Sequence, residues 1–427
     1  MNIGVVGLGY VGLSTAAVLA ELDHHVICMD NDREKIERLK RGEIPIYEPG
    51  LEEWVVRYSG EGRLTFTNRL DDALADCSVV FVTVGTPPKE DGSPDLSALQ
   101  AVTEQLARQI RSYLLIVVKS TVPPGTCEWI EASIRKSGVD PACFDVASNP
   151  EFLREGTALE DMLHPDRIII GAGSERAASL LKEVYAGIDT AFTVMSLAAA
   201  ETTKYASNAF LAAKISFINE LSRVCDALGV DVTEVASGMG QDTRIAPHFL
   251  RAGLGYGGSC FPKDVGALYH AASSHGIAMP LLQAVKKIND SQVDWCIAKL
   301  ERALGFMKEQ QQITVWGATF KPDTDDIRES RALLLMRKLT EAGYRVHAYD
   351  PLVRPNAPDV WWFNDRYDAL IHSDVLILAT EWGVFLDTDW HQVASRMKGR
   401  LLFDARNAID RRAVEEAGLE YMGVGRS

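Results

Sequence analysis

Apolar and polar positions along this chain fall into three successive regimes. In the first, short, largely apolar runs at 3–6, 26–29, 78–84, 114–118 and 144–148 alternate with stretches of helical spacing. Runs of that length and character predict strands of a parallel sheet covered on each side by helices. The second regime opens at Ala198 with a stretch free of Pro and Gly to about Gly229, which predicts one long helix, and it stays almost wholly helical to about 305. The third returns to short apolar runs at 313–317, 345–349, 374–378 and 401–403, the pattern of a smaller parallel sheet. The pattern therefore predicts an α/β chain of two Rossmann-like, doubly wound parallel-sheet domains joined by a central helical domain with a long helix. The expected boundaries are 1–197, 198–305 and 306–427.

The strand ends carry the first chemistry. The run at 3–6 leads into Gly7-Leu8-Gly9-Tyr10-Val11-Gly12 and then a good helix, and the second run ends at Asp30, 18 residues after Gly12. Gly7 permits the tight turn, Gly9 lets backbone approach a pyrophosphate, and Gly12 lets helix pack on strand. A carboxylate at Asp30 takes ribose hydroxyls and favours NAD over NADP, because it would repel an added phosphate. Arg33 is the one dissenting charge and reads as a solvated helix face. Thr86 and Thr121 lie in loops at strand ends, where an open parallel sheet binds ligands, although turn and helix-cap chemistry accounts for each equally well. Glu151, Arg154 and Glu155 follow a further strand. If that segment is helical, the two glutamates share a face and repel unless a ligand, water or Arg154 intervenes.

On the long helix, Lys204, Asn208, Leu211, Ile215 and Ile218 line one face, which places burial as far back as Lys204 and Asn208. A buried lysine is costly without a partner, so it asks for a function; snorkelling to water is the alternative. In the third regime the glycine turn is replaced by Phe320-Lys321, which suggests a phosphate held by charge. Arg328 and Arg406, in strand-end loops, are placed to add to it, though each is by default a surface arginine.

Composition narrows the classes. At 427 residues the chain is too long for one core, and its 47% hydrophobic content fills two or three. A net charge of −15 argues against nucleic acid or an anionic membrane as partner. The N-terminus reads as a strand rather than a signal peptide, and no apolar run approaches the roughly 18 residues of a membrane span. The seven cysteines include no Cys-x-x-Cys pair and the nine histidines no ligand-spaced cluster, so no metal is expected and a cytoplasmic setting fits.

One cysteine stands apart, in Gly255-Tyr256-Gly257-Gly258-Ser259-Cys260-Phe261-Pro262-Lys263-Asp264. Three glycines give a ligand room and Lys263 favours thiolate, as a nucleophile requires. Taken alone, this stretch is better read as a buried thiol in a tight loop. With a dinucleotide fold and the Lys204/Asn208 helix beside it, the weighting reverses. Alcohol oxidation by NAD needs no nucleophile, whereas carrying an aldehyde on to an acid does.

These motifs, with Gly85-Thr86-Pro87, Ser120-Thr121-Val122, the run from Asn149 to Gly156, the run from Lys204 to Phe210, and Asp404-Ala405-Arg406-Asn407, resemble the UDP-glucose/GDP-mannose dehydrogenase family across all three domains, its UDP-glucose 6-dehydrogenase branch in particular. The resemblance implies four-electron oxidation of a UDP-sugar by NAD in a homodimer built on the central helix. It implies Cys260 as nucleophile, Lys204 and Asn208 as oxyanion stabilisers, and Glu151, Thr121 and Asp264 as proton and water handlers, Glu151 being the base in thioester hydrolysis. NAD would meet Gly7, Gly9, Tyr10, Val11, Gly12, Asp30, Lys35, Thr86, Thr121, Glu155, Lys263 and Arg328. The sugar nucleotide would meet Glu151, Phe152, Leu153, Arg154, Glu155, Lys204, Asn208, Phe249, Leu250, Arg251, Ala252, Gly253, Gly257, Lys321 and Arg406, with Arg244 reaching across a dimer. Relatives acting on GDP-mannose or N-acetylated UDP-sugars share the thiol and lysine. A two-electron hydroxyacid dehydrogenase and a catalytically silent NAD-binding scaffold are the competing readings.

Overall fold

The computed structural model describes residues 1–305 and 311–426, so the expected boundary at 306 and the final residue lie outside the described residues. The described residues divide into two compact units, 1–207 with 266–275, and 208–265 with 276–305 and 311–426.

The first unit is built on eight strands, β1 (Asn2–Val6), β2 (His25–Met29), β3 (Leu64–Thr67), β4 (Val79–Val82), β5 (Leu114–Val118), β6 (Phe144–Ser148), β7 (Arg167–Ala172) and β8 (Ala191–Met195). Their order is β3-β2-β1-β4-β5-β6-β7-β8. The first six follow the dinucleotide-binding order, in which the chain reverses direction across the sheet between β1 and β4 and opens a crevice at their carboxyl ends. β1, β4 and β5 are apolar on both faces and fill the cores above and below the sheet, as their unbroken apolar runs predict. The sheet departs from the expected all-parallel form in one place, where β7 runs antiparallel to β6. β7 and β8 were not expected; β7 carries a buried Ile168-Ile169-Ile170 run, and β8 is largely exposed.

The second unit carries β9 (Gln312–Trp316), β10 (Arg345–Tyr349), β11 (Val360–Trp362), β12 (Val375–Leu378), β13 (Leu401–Asp404) and β14 (Glu420–Gly423), all parallel, in the order β11-β10-β9-β12-β13-β14. This repeats the arrangement of β1 to β6. The first glycine of the turn is also kept, which corrects the expectation that it is lost. Gly317 follows β9 at φ +96°, as Gly7 follows β1 at φ +98°, and a Cβ on Gly317 would lie 2.4 Å from Thr380. Asp350, after β10, accepts from the Ala318 N–H at 2.7 Å, just as Asp30 accepts from that of Leu8 at 2.8 Å.

The long helix runs Leu197–Leu228, within a residue of its expected ends. Lys204 and Asn208 are buried on it, as expected. Leu211 and Ile215 are only partly buried, whereas Ser216, Asn219 and Ser222 are fully covered. Side-chain hydrogen bonds account for that reversal: Ser216 donates to the Val285 carbonyl, and Asn219 accepts from the Gly253 N–H. Two further helices, Phe261–Ser274 and Pro280–Leu304, replace the single helical region expected there.

Candidate active site

The glycine turn after β1 has the form a dinucleotide needs. A Cβ on Gly12 would lie 1.8 Å from the Gly7 carbonyl and one on Gly7 2.9 Å from the Val84 amide, so packing alone forbids a side chain at either. Gly9 meets nothing within 4 Å and stands at the start of the helix Tyr10–Glu21, so that backbone faces open space where a pyrophosphate would lie. The Thr83 hydroxyl locks the turn from β4 by donating to the Gly7 carbonyl at 2.6 Å.

Asp30 accepts from the Leu8 and Asp32 amides and from Lys35 Nζ at 2.9 Å. Burial raises its carboxyl, but these donors outweigh burial and hold it below the usual carboxylate range. Thr86 and Thr121 are joined to each other, the Thr86 hydroxyl donating to the Thr121 carbonyl at 2.8 Å. Tyr10 accepts the Gly156 N–H at 2.7 Å and so ties the glycine turn to the segment after β6. Val11 lies half-buried on that helix.

That segment has no regular structure from Glu151 to Arg154 and turns at Glu155, so Glu151 and Glu155 do not share a helix face. Both are buried. Glu151 Oε1 stands 2.9 Å from Lys204 Nζ, which also donates to the Glu151 carbonyl at 2.6 Å, and the other carboxylate oxygen accepts the Leu153 N–H. Lys204 is therefore partnered in the interior and does not snorkel. The Phe152 ring lies 5.3 Å from the same ammonium. Arg154 points to Asp161, donating to it at 2.6 Å and 3.1 Å from an exposed position.

Sequence reasoning missed three groups here. Glu48 accepts from the Gly156 and Ala158 amides at 2.6 Å each, fastening the end of the segment from a distant loop. Lys119, directly after β5, is buried and donates to Asn149 Oδ1 at 3.0 Å and the Tyr185 hydroxyl at 3.4 Å. The only available signal was a lysine closing an otherwise apolar run. Glu201, one turn before Lys204, accepts the Gly125 and Cys127 amides.

In the second unit, Cys260 precedes the helix Phe261–Ser274, and its carbonyl accepts the Asp264 N–H at 2.9 Å. Cys260 therefore stands at a helix start, where backbone N–H groups favour negative charge. Ser259 Oγ is 3.5 Å from Sγ. Asp264, 1% exposed, accepts from Asn208 Nδ2 at 2.6 Å and from Lys263 Nζ at 2.7 Å. One carboxylate thus fixes both the asparagine on the long helix and the lysine beside the thiol.

The glycines of this loop are close-packed rather than open, which corrects the reading of them as room for a ligand. A Cβ on Gly255 would lie 2.5 Å from Asn289 Oδ1, one on Gly257 2.2 Å from the Glu329 carbonyl, and one on Gly258 2.6 Å from the Phe320 ring. The loop bearing Phe320, Lys321 and Arg328 is thereby pressed against the thiol loop, and the Gly258 N–H donates to the Arg328 carbonyl at 3.0 Å. The Arg328 side chain grips Asp326. Arg244 is similarly paired with Asp242 and otherwise exposed. Phe249 packs on Phe261, Leu250 and Ala252 are buried, Arg251 is exposed, and Gly253 lies against Ala405. Arg406 makes a two-pronged pair with Glu381 at 2.7 Å and 2.8 Å. Burial raises the Glu381 carboxyl, but Arg406 outweighs it and holds it low.

The described residues contain no metal-ligand cluster, and none of their helices is long and apolar enough to cross a membrane. Residues 1–189 match the NAD binding domain of the UDP-glucose/GDP-mannose dehydrogenase family, 198–291 its central domain and 314–411 its UDP binding domain. A UDP-glucose 6-dehydrogenase of Pseudomonas aeruginosa is 43% identical over 442 residues, covering 100% of this chain and 98% of that protein. A UDP-glucose dehydrogenase structure from Pyrobaculum islandicum superposes with a TM-score of 0.91 at 41% identity, covering 100% of this chain and 98% of that one. A UDP-D-ManNAc dehydrogenase from Pyrococcus horikoshii gives 0.89 at 28% identity, covering 100% and 99%. Matched along its whole length, this chain belongs to the UDP-glucose/GDP-mannose dehydrogenase family and is an NAD-dependent nucleotide-sugar dehydrogenase.

Proposed function

We propose that the protein oxidises UDP-glucose to UDP-glucuronate, consuming two NAD+ and one water per sugar, through a thiohemiacetal and a thioester on Cys260. The observation that carries this reading is Cys260 at a helix start beside the Asn208–Asp264–Lys263 cluster. A two-electron dehydrogenase has no use for such a thiol. Bound NAD serves as hydride acceptor at each of the two oxidations.

Lys204 and Asn208, one turn apart on the long helix, stabilise the oxygen as the C6 alcohol becomes an alkoxide and then an aldehyde. The Cys260 thiolate adds to that aldehyde, forming the C–S bond and an oxyanion that the same two residues hold. Loss of the second hydride collapses the oxyanion to a thioester. Water, activated by Glu151 and held by Thr121 and Asp264, then attacks the acyl carbon, and the C–S bond breaks to return the thiolate and release the acid. In sum, an alcohol, water and two NAD+ give a carboxylate, two NADH and three protons. Glu155 and Lys35 join Asp30 and the glycine turn at the cofactor, with Lys263 and Arg328 as further contacts. The loop from Phe249 to Gly253, together with Lys321 and Arg406, holds the nucleotide.

Replacing Cys260 with Ala tests the route. The account expects acid formation to fall by about a thousandfold or more, on the scale of losing a nucleophile, while NAD affinity stays as in the wild type. Undiminished acid formation by that variant would refute the thioester.

We further infer a cytoplasmic homodimer with three functional segments at 1–197, 198–305 and 306–427. Phe210, Phe217, Val224 and Leu228 recur at steps of seven, seven and four on the long helix and are all exposed, an apolar stripe that a second copy would cover. Sedimentation should find a dimer that Phe217→Glu weakens; a wild-type monomer would count against it.

A further inference from the structure

Lys119 is a buried cation that the proposed chemistry does not use. Among the described residues it forms no ion pair, and its two hydrogen-bond acceptors, Asn149 and Tyr185, are neutral. Such a charge is costly to keep unless something nearby requires it. Its surroundings fix it in one geometry. Asn149 Nδ2 donates to the Ile169 carbonyl at 2.9 Å, which leaves Oδ1 facing Lys119, and the Tyr185 hydroxyl donates to the same Oδ1 at 2.6 Å. Two residues further on, Glu151 holds Lys204 through both its carbonyl and its carboxylate. The span from 149 to 151 is thus anchored at one end by Lys119 and offers Lys204 its seat at the other. The charged groups whose fields reach Lys119 are Glu151 and Lys204, themselves paired at 2.9 Å.

We propose that Lys119 is a positioning residue for the oxidation: held by Asn149 and Tyr185, it fixes residues 149–151 beneath Lys204 and supplies positive potential that favours the oxyanion Lys204 stabilises. A second buried ammonium near the Lys204–Glu151 pair adds positive potential where negative charge develops. Lys119 acts through its neighbours and need not touch the substrate.

The protonated form does this work, which gives the role a signature in pH. Burial draws the Lys119 ammonium down to about 8, with Glu151 raising it and Lys204 lowering it. Its other titratable neighbour, the Tyr185 phenol, is pushed up by burial and stays protonated. Activity should therefore fall as pH rises through about 8.

The inference rests on the proposed oxidation, and its test is the pH profile of kcat and KM for the full-length enzyme with UDP-glucose and NAD. The wild type should lose activity about tenfold per pH unit above roughly 8. Lys119→Met should lower kcat at pH 7 by about ten- to a hundredfold, leave KM for NAD within about threefold, and lack the basic limb. Asn149→Asp places a carboxylate against Lys119 and should move that limb upward by about one unit or more; it carries the test should the methionine variant not fold. Wild-type kcat and an unaltered limb in the folded variants would overturn the inference alone. A wild type that makes no acid from UDP-glucose would instead overturn the reading beneath it.

Discussion

Asp30 does two jobs with one carboxylate. It receives the Leu8 amide of the glycine turn, and it holds Lys35 Nζ at 2.9 Å. If it also accepts the ribose hydroxyls, Asp30→Ala should weaken NAD binding by about tenfold or more, the scale of a charge-assisted hydrogen bond. The same change would release Lys35 toward a 2′-phosphate, so the preference for NAD over NADP should narrow as well. Calorimetric titration with each cofactor measures both, and an unchanged ratio would contradict the assignment. Asp30 was legible in the sequence because its meaning is local, a carboxylate closing the strand after a glycine turn. Lys119 was not, because its meaning depends on Asn149 and Tyr185, 30 and 66 residues away.

At the scale of elements, the helix Thr126–Lys136 has no side-chain cap of its own. Glu201, on the long helix, supplies one by accepting the Gly125 and Cys127 amides at 2.7 Å and 2.8 Å. Burial lifts this carboxyl to about 7 against those donors, from an ordinary value of 4.5. A folded pKa above the unfolded one means that the contribution to stability is full below about 4.5 and is lost as pH rises through 7. Glu201→Gln should remove that dependence, so wild type minus variant stability should fall by about 2 kcal/mol between pH 5 and 8. Denaturant titrations across that range check it, and parallel stability curves would count against it. The thiol loop shows where element-level reading stops. Its glycines signalled a special backbone, but whether they make room for a ligand or for protein was decided by Asn289, Glu329 and Phe320, which no local pattern joins to them. The long helix was legible to within a residue because an unbroken run without Pro or Gly is a strong signal. Its buried face was read less well, since Ser216, Asn219 and Ser222 are covered through hydrogen bonds rather than apolar character.

At the scale of the molecule, two sheets share one strand order, one positive-φ glycine and one carboxylate after the second strand. They differ in what that carboxylate has left to offer. Asp350 is 1% exposed and receives the Ala318, Leu352 and Val353 amides together with the Trp382 indole, so its oxygens are committed to the fold. Asp30, 7% exposed, receives the Leu8 and Asp32 amides and Lys35. One architecture thus recurs in the family's NAD binding domain and its UDP binding domain, and on the proposed reading Lys321, Arg406 and the loop 249–253 would meet the second nucleotide. The central claim is that a single enzyme carries an alcohol through an aldehyde to an acid on Cys260. Counting NADH formed per UDP-glucose consumed, with excess NAD and with GDP-mannose and N-acetylated UDP-sugars as controls, tests it most directly. The account predicts two NADH and one UDP-glucuronate from UDP-glucose, with little turnover of the controls; one NADH per sugar, or none, would contradict it.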